Sequence, residues 1–290
     1  MSHLRGFLAV FAVISLGWSG PVLAVAAATV EAVQSPAWRD RGGITVPLAA
    51  GMELASGDVL RTGPGARAWL MLAEGSRVKL GEGAQFAFHA RSVRPQKFFR
   101  GALDVLAGAF RFTTGKLNKT QAREVAIRVG TTTIGIRGTD LWGRTNSDGD
   151  LVALLEGRIE ITRAGQTTEL AQPMTYFDAP RGEAAVVKTL DPDVFSNLAR
   201  QTEILAGDGA AGIRGAWRVL AATTESEEAA LELYDRIREA GFAARIRPLP
   251  AEAGGWRYEV LLGGFSSVAE AEVAAARLQA ATGLKPGVGR

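Results

Sequence analysis

The sequence predicts two domains, an all-β domain of the sandwich or roll type and a small α+β domain of the ferredoxin-like type. The chain has 290 residues, of which 35 are glycine and 47% are hydrophobic, so frequent turns and a packed core are both expected. Short runs of alternating apolar and polar residues fill the middle of the chain, which favours β-strands. A strand–helix pattern occurs twice near the C-terminus. We therefore assign residues 25–182 to the β domain and residues 214–290 to the α+β domain.

The N-terminal segment, residues 1–24, has the pattern of a secretory signal peptide. Arg5 precedes an apolar run over residues 7–16, and small residues and a proline interrupt the run over residues 17–21. The alternative is an uncleaved membrane anchor, because residues 4–28 are long enough to cross a bilayer. The interruption favours cleavage. We therefore expect a periplasmic protein that keeps no stable membrane span.

The composition argues against an enzyme and against a bound cofactor. The chain has two histidines and no cysteine, so it cannot build a zinc site from these residues. No G-x-S-x-G motif accompanies His89, which a serine triad would need. The formal net charge of +3 is small for this length, and together with export it argues against nucleic acid as a partner. We expect no metal and no cofactor.

The middle of the chain reads as a series of β-hairpins. Alternating segments flank tight glycine turns at Gly75, Gly157 and Gly165, and another glycine turn spans residues 81–83. Roughly ten to thirteen short strands are expected from this spacing. So many short strands without intervening helices favour a sandwich or a roll.

Four motifs in this region carry a family resemblance. They are Gly57-Asp58-Val59-Leu60-Arg61-Thr62-Gly63, Glu74-Gly75-Ser76, Gly135-Ile136-Arg137-Gly138-Thr139-Asp140 and Glu156-Gly157. Together they resemble the FecR-type domain family over most of residues 42–172. The resemblance implies an all-β extracytoplasmic domain that often serves signalling or protein interaction, and it carries no catalytic chemistry over to this chain. Because no cytoplasmic domain precedes the hydrophobic segment, direct anti-sigma regulation is not expected.

The motif at residues 135–140 is interpreted as structural. Its glycines permit positive φ or close backbone approach. Its arginine can donate to neighbouring carbonyls, or to a carboxylate such as Asp140 or Asp58, and so fix a turn. The alternative is a contact with an anion or a partner. The structural motif comprises Gly135, Arg137, Gly138 and Thr139.

Two further motifs look like ligand sites but are better explained by the backbone. Asn146, Asp148 and Asp150 could suggest calcium, but the loop lacks the later glutamate of an EF-hand, and a hairpin turn explains it better. Residues 207–212 match G-x-G-x-x-G, but a helix precedes them and a strand follows, the reverse of a dinucleotide site. We therefore interpret residues 183–213 as a short helix and a flexible glycine-rich linker.

The C-terminal domain is predicted to have the order β-α-β-β-α with a weak last strand over residues 284–288. Residues 217–222 and 258–263 are similar apolar strands, each followed by a helix. The two helices are expected to begin at capping boxes and to end at glycines. The capping pairs are Thr224 with Glu227 and Ser267 with Glu270, and the terminal glycines are Gly241 and Gly283. This order is a ferredoxin-like split βαβ unit, which leaves one sheet face open.

The segment from Tyr258 to Ser267, with Ala269 and Ala271 beyond it, carries a second resemblance. Residues 216–290 resemble the SPOR domain family. The resemblance implies binding to peptidoglycan glycan strands that lack stem peptides, commonly at division sites, through the open sheet face.

Strand alternation predicts which side chains form that face. Val219, Ala221, Val260 and Leu262 are expected to point toward the helices. A stripped glycan exposes a lactyl carboxylate on each muramic acid, and arginine suits carboxylates. The alternatives are a protein contact or a solvated basic face. The candidate glycan-binding residues on the opposite side are Arg218, Leu220, Arg245, Arg247, Arg257, Glu259 and Leu261.

These observations favour an exported binding or scaffold protein of the cell envelope. The C-terminal domain would bind peptidoglycan glycan strands, and the β domain would contact an envelope protein. One alternative is an extracytoplasmic signalling protein that senses an envelope ligand through a membrane-spanning partner. A wall hydrolase of unusual type is a further alternative.

Overall fold

The computed structural model describes residues 26–94, 98–115, 122–252 and 254–290. The predicted signal peptide lies outside these residues. The described chain is mostly β-strand with three helices, as the sequence predicts. No helix within those ranges is long and apolar enough to cross a membrane.

The first half of the β domain consists of short strands that pair mainly as antiparallel neighbours. Alternating burial along them follows the alternating sequence, so that every second side chain enters the core. These strands are β1 (Ala28–Gln34), β2 (Ala37–Arg41), β3 (Ile44–Pro47), β4 (Glu53–Leu54), β5 (Val59–Thr62), β6 (Arg67–Leu72), β7 (Arg77–Leu80) and β8 (Gln85–Arg94).

The second half begins with four strands that are mostly longer than those of the first half, and it shares the same core. β9 pairs antiparallel with β7, β8 and β11 and parallel with β10. The strands therefore form one continuous hydrogen-bonded network, and the more specific prediction of a sandwich or roll is not confirmed. The strands are β9 (Phe98–Thr113), β10 (Ala122–Val129), β11 (Thr132–Thr145), β12 (Gly149–Arg163), β13 (Gln166–Leu170) and β14 (Thr175–Pro180). A further strand, β15 (Val186–Thr189), pairs antiparallel with β14, so the β sheet extends into residues 183–213, where only a helix and a linker were expected.

The C-terminal domain has the predicted ferredoxin-like arrangement. Its sheet has the order β18, β19, β17, β20, and every neighbouring pair is antiparallel. Both helices lie on one side, where Val219, Ala221, Val260 and Leu262 join a separate buried core, as expected. The elements are β17 (Trp217–Thr224), α2 (Glu227–Glu239), β18 (Arg245–Pro250), β19 (Trp256–Phe265), α3 (Val268–Thr282) and β20 (Gly287–Gly289).

The helix termini differ in part from the predicted capping boxes. The N-cap of α2 is Ser226, whose Oγ accepts from the backbone N–H of Ala229 at 3.3 Å. Thr224 instead donates to the carbonyl oxygen of Ser226. Gly241 follows the C-cap of α2 with φ of +86°, and Gly283 caps α3 with φ of +71°, so both glycine terminations are as predicted.

The segment between the domains is ordered by hydrogen bonds, which corrects the expectation of a flexible linker. Helix α1 (Pro192–Arg200) is the short helix expected within residues 183–213, and the short strand β16 (Ala211–Gly212) follows it. The Glu270 carboxylate accepts from the backbone N–H groups of Gly207, Gly209 and Ala210 at 2.6, 2.6 and 3.0 Å. Glu270 therefore binds this segment rather than completing a capping box with Ser267.

The two domains meet at a joint made largely of backbone. β16 pairs antiparallel with β1 on one side and with β19 on the other. The N–H of Ala37 donates to the carbonyl of Gly241, and Arg277 donates to the carbonyls of Ser35 and Gly65. A Cβ on Gly241 would lie 2.6 Å from the Trp38 ring, so only glycine fits there. This joint fixes the orientation of the two domains.

Candidate functional site

The predicted residues of the open sheet face lie on one side of the C-terminal sheet. Leu261 pairs with Leu220 on one side and with Arg245 on the other. Glu259 pairs with Arg247 in the next row of the same face. The structure therefore brings the predicted residues of three strands together. We call this surface the arginine face, and it comprises Arg218, Leu220, Arg245, Arg247, Arg257, Glu259 and Leu261.

The members of the arginine face differ in exposure. Arg245, Arg247 and Arg257 are exposed, whereas Arg218, Leu220 and Glu259 are partly buried. Leu261 is only 8% exposed, so it does not offer the free apolar surface that was expected of it. The face is therefore a basic surface with limited apolar contact area.

The charges of the arginine face are incompletely neutralised. Arg247 forms an ion pair with Glu259, and its Nε lies 3.0 Å from a carboxylate oxygen of Glu259. Within the described ranges, no carboxylate pairs with Arg218, Arg245 or Arg257. Three guanidinium groups therefore keep their donors available for an external anion.

The C-terminal tail leaves this face accessible. β20 pairs with β17 at the edge of the sheet, with Val288 opposite Val219. Arg290 lies over the Trp217 ring at 4.9 Å. The tail thus extends the sheet by one strand and does not lie across Arg245, Arg247 or Arg257, which remain exposed.

The structural motif of the β domain lies in the middle of β11. Gly138 has φ of +67° and marks an irregularity in the pairing of β11 with β12. A Cβ on Gly157 would lie 2.2 Å from the carbonyl oxygen of Gly138, so the strands approach too closely for a side chain. Gly135 lies opposite Glu160 in the same pairing and needs no positive φ. The predicted positive φ is therefore confirmed at Gly138.

Thr139 and Asp140 of this motif, and Asp58, which was the other predicted partner of Arg137, form hydrogen bonds with other parts of the β domain. The N–H of Thr139 donates to Thr114 Oγ1 at 2.8 Å. Asp140 accepts from Arg111 at 2.7 and 3.0 Å, and Asp58 accepts from Arg41 at 2.5 and 2.7 Å. The Arg137 side chain lies outside the described residues, so its predicted role stays a prediction.

The candidate calcium loop forms a hairpin turn. The Asn146 side-chain oxygen accepts from the N–H groups of Asp148 and Gly149 at 3.0 and 3.2 Å. Asp150 is buried and accepts from the hydroxyls of Thr131 and Thr145 at 2.9 and 2.7 Å. In the described ranges, no group of three or more metal-ligating side chains comes together.

Sequence reasoning missed a cavity at the joint between the domains. It has a volume of about 550 Å³ and is lined by both domains, including Met52 of the β domain and Phe242 of the C-terminal domain. Arg218 and Arg245 of the arginine face also line it. Only the docking of the two domains creates this cavity, so no local sequence pattern could have indicated it.

The fold and the arginine face define a two-domain protein, in which a β domain is joined to a ferredoxin-like domain with an accessible basic sheet. Residues 58–160 match the family model described as FecR protein, and residues 214–288 match the one described as SPOR domain. The chain therefore carries a FecR domain followed by a SPOR domain, as the sequence motifs indicate.

Comparison with solved structures gives distant similarities. Two crystal structures of a candidate anti-sigma factor from Parabacteroides distasonis have 11% sequence identity to this chain. They cover 78% of this chain and 92% and 91% of their own chains, with TM-scores of 0.41 and 0.40. No curated protein matches the chain.

Proposed function

We propose that this protein is an exported binding or scaffold protein of the cell envelope that attaches to peptidoglycan glycan strands through the arginine face. The observation that carries the proposal is the set of guanidinium groups of Arg218, Arg245 and Arg257, which pair with no carboxylate of the described residues, on an accessible sheet. The SPOR match supports it, because that family resemblance implies binding to glycan without stem peptides.

The chemistry of the face suits this polymer. Removal of stem peptides exposes a carboxylate on each muramic acid, and guanidinium groups bind carboxylates through two parallel hydrogen bonds. Spaced arginines on neighbouring strands match a ligand that repeats its charge along its length. In intact peptidoglycan the stem peptides hold these carboxyl groups as uncharged amides, which would reduce binding.

The FecR domain is proposed to contact an envelope protein. The FecR match supports this role, because the family resemblance implies signalling or protein interaction. The same match favours a second candidate function, in which the protein senses an envelope ligand and passes the signal to a membrane-spanning partner. The candidates differ in that only signalling requires such a partner.

The experiment measures retention of the purified chain, residues 25–290, on sacculi. Amidase-treated sacculi are compared with untreated sacculi, which keep their stem peptides. The variant combines Arg218→Gln, Arg245→Gln and Arg257→Gln. The matched control is Arg236→Gln, which removes an exposed arginine of α2 away from the face.

We expect strong retention on amidase-treated sacculi, and a decrease of more than about tenfold for the triple variant, because each lost charged hydrogen bond weakens binding. The control should bind like the parent protein. Equal retention of the parent, the control and the triple variant would contradict the proposal, as would equal binding to treated and untreated sacculi.

The second candidate function is tested by crosslinking in cells. A crosslinker placed on the FecR domain would trap a membrane-spanning protein if the chain signals through one. Recovery of such a partner whose crosslinking changes with an envelope ligand would support signalling.

A further inference from the structure

The cavity at the domain joint is lined by both domains and by residues 209 and 211–213 of the segment between them. The FecR side consists of Val33, Ser35, the end of β3 and the turn that follows β3, from Val46 to Met52. The SPOR side consists of the start of β18, the end of β19 and the facing surfaces of α2 and α3. The cavity volume of about 550 Å³ is within the usual range of small-ligand sites.

The charged residues that line the cavity all have the same sign. Arg218, Arg238, Arg245 and Arg277 line it, and no aspartate or glutamate among the described residues does. Arg277 is engaged with backbone carbonyls, and Arg238 donates to the hydroxyl of Tyr234 at 3.0 Å. A cavity with several arginines and no carboxylate favours an anionic ligand.

The cavity is continuous with the arginine face. Arg218 and Arg245 belong to both, and Leu261, which lies between their strands, also lines the cavity. A polymer bound along the face can therefore reach the joint without leaving the row of guanidinium groups. Apolar walls such as Pro47 can contact the apolar face of a sugar ring.

We infer that this cavity receives a carboxylate-bearing sugar of the glycan strand, so that the FecR domain forms part of the glycan-binding site. The inference rests on the proposed function of the arginine face. It assigns the turn from Val46 to Met52 a direct role in glycan recognition. The SPOR sheet alone would then bind more weakly than the joined domains.

The main test changes the FecR wall and leaves the SPOR domain intact. Ala50 is partly buried in that wall, so Ala50→Glu places a negative charge opposite the arginines, and Ala50→Gln adds nearly the same volume without charge. The control is Ile44→Glu, because Ile44 is 66% exposed on the same domain and does not line the cavity. Each full chain is titrated with amidase-treated glycan strands and, separately, with uncharged chitin oligosaccharides.

We expect Ala50→Glu to weaken binding to the treated glycan by about fivefold or more, and Ala50→Gln to weaken it less, because a buried like charge repels the ligand carboxylate. Ile44→Glu should bind like the parent protein. Binding to chitin oligosaccharides should be weak and should not distinguish the two Ala50 variants. Parent-like binding by Ala50→Glu would overturn the inference.

A second variant covers the case in which Ala50→Glu fails to fold, which thermal unfolding would reveal. Arg238→Gln removes a cavity arginine that lies outside the arginine face, and Arg236→Gln on the same helix is its control. We expect weaker binding only for Arg238→Gln, and equal binding by both would overturn the inference.

If the triple face variant loses binding while the cavity variants keep it, the proposed function stands and the inference fails. If the parent protein does not bind, the proposed function itself fails.

Discussion

The two domains differ in how many of their basic side chains form ion pairs. Among the described side chains of the FecR domain, most arginines and lysines form ion pairs with carboxylates, whereas in the described SPOR domain only Arg247 does so. The pairs within residues 25–182 are Arg41–Asp58, Arg61–Asp40, Arg77–Glu31, Arg100–Glu124, Arg111–Asp140, Arg128–Asp104, Arg158–Glu169 and Arg181–Asp150. In addition, Lys79 pairs with Glu203 of the segment between the domains, and Lys188 of β15 pairs with Asp178.

This difference separates structural charges from charges that are available for binding. A guanidinium group that two carboxylate oxygens already satisfy has little to offer a ligand. A cluster of unpaired guanidinium groups on an accessible sheet instead adds repulsion to the free protein, and an anionic ligand relieves that repulsion. Paired arginines should therefore affect stability, and unpaired ones should affect binding.

The largest effect on stability is expected from the pair of Arg41 and Asp58. The Asp58 side chain is fully buried, and its partner is 45% exposed. Arg41→Gln leaves a buried carboxylate without its cation, so we expect a loss of about 2 to 3 kcal/mol in the free energy of unfolding. Urea unfolding measures this loss. The double variant Arg41→Gln with Asp58→Asn should recover part of it, and a double variant less stable than the single one would contradict the explanation.

The next largest effect on stability is expected from Glu270 of α3, whose carboxylate binds the backbone of the segment between the domains. Glu270→Ala removes the acceptor of three backbone N–H groups, so we expect a loss of about 2 kcal/mol in the free energy of unfolding. Glu270→Gln keeps one carbonyl acceptor and should lose less. Thermal unfolding and amide hydrogen exchange at Gly209 check this prediction. Unchanged exchange in the alanine variant would show that the carboxylate is not needed to order the segment.

Unlike the Arg41 and Glu270 variants, substitutions in the arginine face should hardly change stability. The triple variant Arg218→Gln, Arg245→Gln and Arg257→Gln should change the free energy of unfolding by no more than about 0.5 kcal/mol, because none of the three pairs with a carboxylate in the part of the chain that the structure describes. Urea unfolding of the triple variant beside the parent protein checks this. A large destabilisation would mean that the face is structural and would weaken the contrast between the domains.

A smaller effect on stability than those of Arg41 and Glu270 is expected from the pair of Arg61 and Asp40 at the surface. The hydrogen bond from Arg61 outweighs burial and holds the pKa of Asp40 below its ordinary value of 3.8. A lowered carboxylate pKa stabilises the fold above about pH 4, and this contribution is lost as the pH falls through the folded-state pKa. Arg61→Gln should therefore cost at most about 1 kcal/mol at pH 7, because the pair is partly exposed, and less at pH 3. A loss that grows on acidification would contradict the assignment.

The sequence was sufficient to predict features that depend on local pattern. Alternation along residues 217–222 and 258–263 placed Val219 and Leu262 toward the helices, and the glycine signals placed both helix ends. The members of the arginine face followed from the same alternation, since neighbouring antiparallel strands share one side-chain period. Local periodicity therefore determined both the fold of the SPOR domain and the sidedness of its sheet.

Features that depend on contacts between distant segments could not be predicted. The interaction of Glu270 with the backbone near Gly209 joins residues that are 61 positions apart, and a capping box explained the same glutamate equally well in sequence. The strand β16 has two residues and gains its partners only when both domains are folded. The cavity forms only when the two domains pack against each other, so sequence patterns could not predict it either.

The joint through β16 has a mechanical consequence. Backbone pairs connect it to one strand of each domain, and Gly215 lies so close to Gly264 that a Cβ there would be 2.1 Å from the Gly264 carbonyl carbon. Side-chain rotation cannot loosen a contact of this kind. If the SPOR sheet is attached to the wall, the rigid joint holds the FecR domain in a fixed orientation and at a fixed distance from the bound glycan. A protein that docks on it would then meet the same geometry at every attachment point.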